Sequence, residues 1–170
     1  VWNAIKDDYV NEVSKISVGD PKDFSNFMGA VIDRKSFDNI AGYIDRANRD
    51  SGCEIVTGGK YDDSTGYFVQ PTTIVCSDPN YETMAEEIFG PVLSIYVYPD
   101  HEFIETLDLC DNTSEYALTG SIFAANREDI EVAMAALRYS AGNFYINDKP
   151  TGAVVGQQPF GGARGSGTND

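Results

Sequence analysis

Apolar positions recur at helical spacing from the start of the chain. Ile5, Tyr9, Val13 and Ile16 fall three or four residues apart, which predicts an amphipathic helix over 2–16. Ser17-Val18-Gly19-Asp20-Pro21 ends it with glycine and proline. A second helical period opens at Asp33, a good N-cap, and carries Phe37, Ile40, Ala41, Ile44 and Ala47 on one face as far as Ser51-Gly52. The period then changes. Residues 53–57 read as a strand closed by the turn Gly58-Gly59, and 61–66 read as a polar turn. The runs 67–69 and 72–76 are strand-like, and Pro71 between them predicts an edge or a bend. A short helix is expected over 81–87. Gly90-Pro91 then resets the chain into an apolar strand over 92–98, rich in β-branched and aromatic residues.

Beyond that point helices and strands alternate: helix over 103–109, buried strand over 120–124, helix over 127–139, strand over 143–146. Asn126 is expected to cap the third of these, with Asp129 completing a capping box, and Ile130, Met134 and Leu137 to form its packed face. Short apolar strands separated by helices predict an α/β fold, a mostly parallel sheet with helices on both faces. There is no internal repeat and no low-complexity tract.

The chain has 170 residues, 42% hydrophobic and 12% aromatic, enough for a sizeable core and unlike a disordered composition. It opens on Val1 and stops at Thr168-Asn169-Asp170 without a closing element, so the expectation is a piece of a larger protein. A net charge of −15, with 12 basic residues, argues against a nucleic-acid groove or an anionic membrane surface as partner. No stretch approaches the ~20 apolar residues of a membrane span. Cys53, Cys76 and Cys110 are odd in number and widely spaced, which suits a reducing compartment. With no Cys-x-x-Cys and with His101 alone in a polar run, there is no zinc-ligand spacing.

Two stretches could carry chemistry. Glu86-Glu87-Ile88-Phe89-Gly90-Pro91 sets two carboxylates and an aromatic before a Gly-Pro turn; on residue types alone it could simply end a helix. After the strand Asn143-Phe144-Tyr145-Ile146-Asn147 comes a run over 148–167 with six glycines and two prolines. A loop of that kind at a strand end is a common ligand site in α/β proteins, and equally a surface connection. The segment 161–167 has neither G-x-G-x-x-G spacing nor a Lys-Ser/Thr ending, so it does not read as a phosphate cradle. Arg164 within it could meet an anion, a subunit contact or solvent.

Gly142-Asn143-Phe144-Tyr145-Ile146-Asn147-Asp148-Lys149, Gly156-Gln157-Gln158-Pro159-Phe160-Gly161-Gly162 and Ser166-Gly167 together resemble the aldehyde dehydrogenase superfamily. Its Pro-Phe-Gly-Gly and Ser-Gly parts are general to it. The longer form is similar to the family that oxidises L-glutamate γ-semialdehyde, the Δ1-pyrroline-5-carboxylate dehydrogenases of proline catabolism. Gly66-Tyr67-Phe68 and Pro71-Thr72 also match a superfamily signature. The resemblance covers the whole chain and implies residues 1–170 are part of a catalytic domain, with the Rossmann cofactor domain and nucleophile further upstream. It implies NAD as cofactor, with Glu87 accepting hydrogen bonds from the nicotinamide-ribose hydroxyls and Phe89 packing beside the ring. It implies a substrate site in which Gly152 and Ala153 offer backbone N–H groups to the substrate carboxylate and Phe160 walls its aliphatic part. Some family members carry serine where this chain has Ala153, so a hydroxyl contact is missing here.

The same resemblance implies a catalytic cysteine that none of the three supplies. Each reads as a small buried hydrophobe, so the chain by itself is expected to be inactive. The parent is expected to be a homo-oligomer acting on a small molecule, in bacterial cytoplasm or the mitochondrial matrix. An uncovered domain interface is expected to make the separate piece self-associate. Another aldehyde as substrate, or a non-catalytic α/β binding module, stays open on sequence alone.

Overall fold

The structure is a computed structural model describing residues 1–154 and 156–168. Two compact units follow one another along the chain, Val1–Val97 and Tyr98–Asp170.

The first unit is built around α2 (Arg34–Arg49). Its N-cap is Asp33, as the sequence predicts, with the carboxylate accepting from Ser36 N at 2.7 Å. The expected face is buried, and Tyr43 joins it, so the stripe is wider than the aliphatic pattern indicated. Ile40 and Ile44 are essentially sealed from solvent, each contributing roughly 1.5–3 kcal/mol by burial. The helix lies on a three-stranded sheet of order β1-β4-β5, formed by β1 (Cys53–Thr57), β4 (Thr72–Cys76) and β5 (Val92–Tyr96). β4 and β5 are parallel, while β1 runs antiparallel to β4. The short excursion between them explains that direction: it folds as a hairpin of β2 (Tyr61–Asp62) and β3 (Phe68–Val69) and sends the chain straight back. Residues 61–66 are therefore not only a turn. Pro71 marks a bend between the two ladders, and the strand after it is central rather than an edge.

Strand alternation puts helices on both faces of this sheet. Ile74 and Cys76 face α2 through Ala47, with Cys53 and Ile55 beside them. Thr73 points the other way and is bonded at 2.7 Å to the hydroxyl of Tyr9 on α1 (Trp2–Ser14), while Lys6 of that helix reaches Glu54 at 3.1 Å. Tyr9, Val13 and Ile16 are half-buried as expected; Ile5 is left 48% exposed, so the packed face is shorter than its sequence pattern. Residues 81–87 form only the single-turn α3 (Glu82–Ala85).

In the second unit β7 (Thr119–Ile122) and β8 (Asn143–Ile146) pair in parallel. One face is covered by α4 (Phe103–Asn112) and α5 (Arg127–Ala136) through Leu107, Ala133, Leu137, Phe103, Ile122 and Phe144. Asn126 caps α5, but its side chain accepts from Glu128 N at 3.0 Å rather than from Asp129. Met134 is 44% exposed and Ala133 takes its expected place, because a small residue lets α4 and α5 approach closely. A short antiparallel pair, β6 (Tyr116–Ala117) with β9 (Ala163–Arg164), ties the glycine-rich end of the chain back to the body of the unit.

Candidate active site

Residues 86–90 are anchored at alternate positions. Glu86 leaves α3 in an extended conformation (φ −101°, ψ 144°) and its carboxylate accepts a hydrogen bond from the Tyr43 hydroxyl on α2. That bond, with burial adding to it, raises the Tyr43 phenol above its ordinary pKa. Ile88 is buried in the same core as Ile40 and Tyr43. Gly90 comes so close to Ile40 that a Cβ there would lie 2.5 Å from its Cδ1. With 86, 88 and 90 held against α2, Glu87 and Phe89 are turned outward. The Glu87 carboxylate is exposed and has no hydrogen-bond or ion-pair partner among the described residues. Phe89 is 80% exposed at φ 56°, a left-handed conformation that costs a bulky residue of order 1–3 kcal/mol. Phe89 is thus a strained aromatic displayed to solvent rather than a packed core residue.

Gly152, Ala153 and Phe160 sit on the opposite face of the β7–β8 pair from α4 and α5. Tyr145 and Asn143, two apart on β8, organise that face. The buried Tyr145 donates its hydroxyl hydrogen to Gly152 O and accepts from Gln158 Nε2 at 3.0 Å, with Lys149 over its ring at 5.2 Å. Asn143 donates to Pro159 O at 2.9 Å and accepts from Gly161 N at 3.1 Å, clamping both flanks of Phe160, whose side is 43% exposed. Asn147, at φ 50°, completes the series by pairing with both backbone groups of Ala124 at 2.8 and 2.9 Å. With its carbonyl held by Tyr145 and φ at 89°, Gly152 turns the loop so that the N–H groups of Gly152 and Ala153 have no partner among the described residues. Two adjacent free amides suit a carboxylate. Val155 of this loop lies outside the described residues.

The sequence analysis pointed to the loop but missed its supports, Asn143 and Tyr145. The signal was there: two hydrogen-bonding side chains at i and i+2 share one face of a strand. Tyr43, the support of Glu86, carried no such mark. The structure gathers Glu87 with Phe89 in the first unit and Gly152, Ala153 and Phe160 in the second.

Arg164 is committed elsewhere, donating to Asp111 O and Asp111 Oδ1, both at 2.6 Å, so the anion reading loses its basis. Cys76 is buried, and desolvation first, then Cys53, pushes its thiol up to about 12. Cys110 stands at an exposed position of α4, against the expectation of a buried hydrophobe; desolvation around its sulfur and the neighbouring Asp111 raise its thiol too. Among the described residues no three His, Cys, Asp or Glu side chains group as a metal site, and no helix is long and apolar enough to cross a membrane. A cleft of about 1070 Å³ in the first unit, between residues 16–21 and the β2–β3 hairpin, contains none of the candidate residues.

These features belong to one fold family. The aldehyde dehydrogenase family model matches residues 1–170, and the chain is a member of that family. Among curated relatives it is 59% identical over 170 residues to the mitochondrial Delta-1-pyrroline-5-carboxylate dehydrogenase of Dictyostelium discoideum. It is 53% identical over 171 residues to the human mitochondrial protein of that name. All of this chain is covered in both cases, and 30% of each relative. The crystal structure of the Delta-pyrroline-5-carboxylate dehydrogenase from Mycobacterium tuberculosis superposes with a TM-score of 0.89 at 48% identity, over 99% of this chain and 31% of that one. Its NAD-bound form gives a TM-score of 0.87 at 47% identity.

Proposed function

We propose that these residues form part of the catalytic domain of an NAD-dependent dehydrogenase that converts L-glutamate γ-semialdehyde, NAD and water to glutamate and NADH. The observation that carries the proposal is the pair of free backbone amides at Gly152 and Ala153, held by Tyr145 on the β8 face where Asn143 clamps the flanks of Phe160. A substrate that is carboxylate at one end and aliphatic along its stem fits that pairing of amides and ring. Relatives bearing that enzyme's name match the chain over its whole length, which supports the same reading. Ala153 contributes its backbone alone, so the substrate carboxylate is held by amides rather than by a side-chain hydroxyl.

Glu87 and Phe89 fit the nicotinamide end of the cofactor, because one carboxylate can accept from both ribose hydroxyls and the exposed ring offers an apolar surface. When bound, NAD supplies the hydride acceptor. The chain's own contribution is positional: Tyr43 fixes the segment carrying Glu87, and Tyr145 and Asn143 fix the loop that holds the carboxylate end of the substrate. The reacting sulfur is assigned to the rest of the parent protein, since Cys76 is buried with Cys53 packed against it, and the Cys110 thiol is raised by desolvation and Asp111. The 170 residues alone are therefore inactive. We expect the parent to be a homo-oligomer and place it in the cytoplasm or the mitochondrial matrix, the latter in keeping with the relatives named mitochondrial.

The test is Glu87→Gln in the full-length enzyme, followed by NADH formation. Losing a charge-assisted acceptor of about 1.5–3 kcal/mol lowers kcat/KM for NAD roughly 10- to 100-fold. An unchanged kcat/KM for NAD refutes the role of Glu87. A substrate series in which the amino-acid end of the aldehyde makes no difference refutes the substrate.

A further inference from the structure

Away from the candidate site, β1 and β4 hold two free cysteines face to face. Cys53 is the direct register partner of Cys76, and their sulfurs are 3.6 Å apart. The pair is of the non-hydrogen-bonded kind: Cys53 N donates to Asp50 O at 3.1 Å, while the flanking ladder bond runs from Ser77 N to Gly52 O at 2.8 Å. Such pairs bring Cα atoms to about 4.5 Å and side chains to their closest approach. That falls inside the roughly 4.4–6.8 Å range disulfides require. The two sulfurs differ in access. Cys76 is 2% exposed and Cys53 is half-buried.

We propose that Cys53 and Cys76 are a reversible redox pair, closed into a cross-strand disulfide by hydrogen peroxide and reopened by a small thiol. Cys53, the accessible sulfur, attacks a peroxide oxygen. The O–O bond breaks, the thiol proton leaves with the departing oxygen as water, and Cys53 becomes a sulfenic acid. The Cys76 sulfur then attacks Cys53; the S–O bond breaks and the leaving hydroxide takes the Cys76 proton as a second water. The two thiols together give up two electrons and two protons, which peroxide takes as it is reduced to water. Two equivalents of small thiol reverse the bond by exchange. Cys76, 2% exposed, is shielded from peroxide and reaches Cys53 by proximity. The closed bond ties β1 to β4 around the β2–β3 hairpin. It also shifts the Cys76 sulfur, which lies 3.9 Å from Thr83 Oγ1 of α3.

The experiment treats the folded 170-residue chain with hydrogen peroxide, caps remaining thiols with N-ethylmaleimide and maps the proteolytic peptides by mass spectrometry. The expected result is a loss of roughly 2 Da, two hydrogens, in a cross-linked peptide pair containing Cys53 and Cys76, with Cys110 capped and dithiothreitol restoring all three thiols. Cys53→Ala and Cys76→Ala each abolish the link and Cys110→Ala keeps it. The urea midpoint of the wild type rises on oxidation and falls back on reduction. A link through Cys110, over-oxidation of Cys53 without a link, three capped thiols, or a link that forms only in urea-unfolded protein would each overturn the proposal. The wild-type peptide map decides the matter even where an alanine variant does not fold.

Discussion

Gly142→Ala tests how the candidate loop is seated. Gly142 precedes β8 and is crossed by the 161–162 backbone: a Cβ added there would lie 2.0 Å from Gly161 O and 2.6 Å from Gly162 Cα. Ordinary contact begins at 3.4 Å, so that backbone has to retreat by about 1.4 Å (3.4 less 2.0). It is not free to do so. Gly161 N is bonded to Asn143 Oδ1 next door, and a Cβ on Gly162 would itself lie 2.5 Å from Ser166 Cβ. Overpacking against backbone on both sides belongs at the top of the usual range, ~3 kcal/mol. For a chain of this size that lowers Tm by roughly 6–12 °C. Gly152→Ala is the contrasting case. Nothing lies within 4 Å of its Cβ, but φ is 89°, so the cost is conformational, ~1–2 kcal/mol. The two glycines should also respond differently to asparagine, which tolerates positive φ better than alanine. Asparagine should match or beat alanine at 152 and be no better at 142. Thermal melts and hydrogen exchange over 157–162 read both effects. A Gly142→Ala variant that melts within the roughly 2 °C of a neutral surface change, with unchanged exchange, refutes the close seating.

Tyr145→Phe removes the donor to Gly152 O and the acceptor for Gln158 while keeping the ring, so it should cost about 1–3 kcal/mol and speed hydrogen exchange over 151–158 more than in α4 or α5. Uniform or absent change would mean that the hydroxyl does not hold the loop. Stability should also fall as pH rises above about 9. Cys76 and Tyr81 are both pushed up to about 12, Cys76 by burial and then Cys53, Tyr81 by burial and then Cys53, and Tyr43 is raised by Glu86. The folded state therefore holds protons that the unfolded chain has released, and that advantage disappears as pH climbs through the folded values. Urea midpoints from pH 7 to 11 check this, and Cys76→Ala should flatten the decline; a midpoint constant to pH 11 would contradict it.

Much of the local structure could be read from the chain. α2 followed from a capping aspartate and an apolar stripe, because both depend on residues within a few turns of one another. β1, β4, β8 and the α5 cap were legible for the same reason. Errors came where a distant contact overrode the local pattern. Residues 81–87 stop being helical after one turn because Glu86 is drawn to Tyr43, 43 positions earlier, and Ile88 to the α2 core. Met134 lost its expected place to Ala133 because the approach of α4, not the period of α5, decides which side is buried.

By itself, then, the sequence determined the alternation of helices and strands, the family, and the two stretches from which a site could be made. Those depend on periodicity, capping chemistry and motif residues, all carried by neighbours in the chain. The tertiary structure alone decided that Glu87 and Phe89 face outward while Glu86 and Ile88 are anchored. It alone decided that Tyr145 and Asn143 hold the glycine-rich loop, and that Cys53 and Cys76 stand opposite each other. Each of these turns on strand register or on a bond between residues far apart in sequence, and such pairings exist only once the chain has closed on itself.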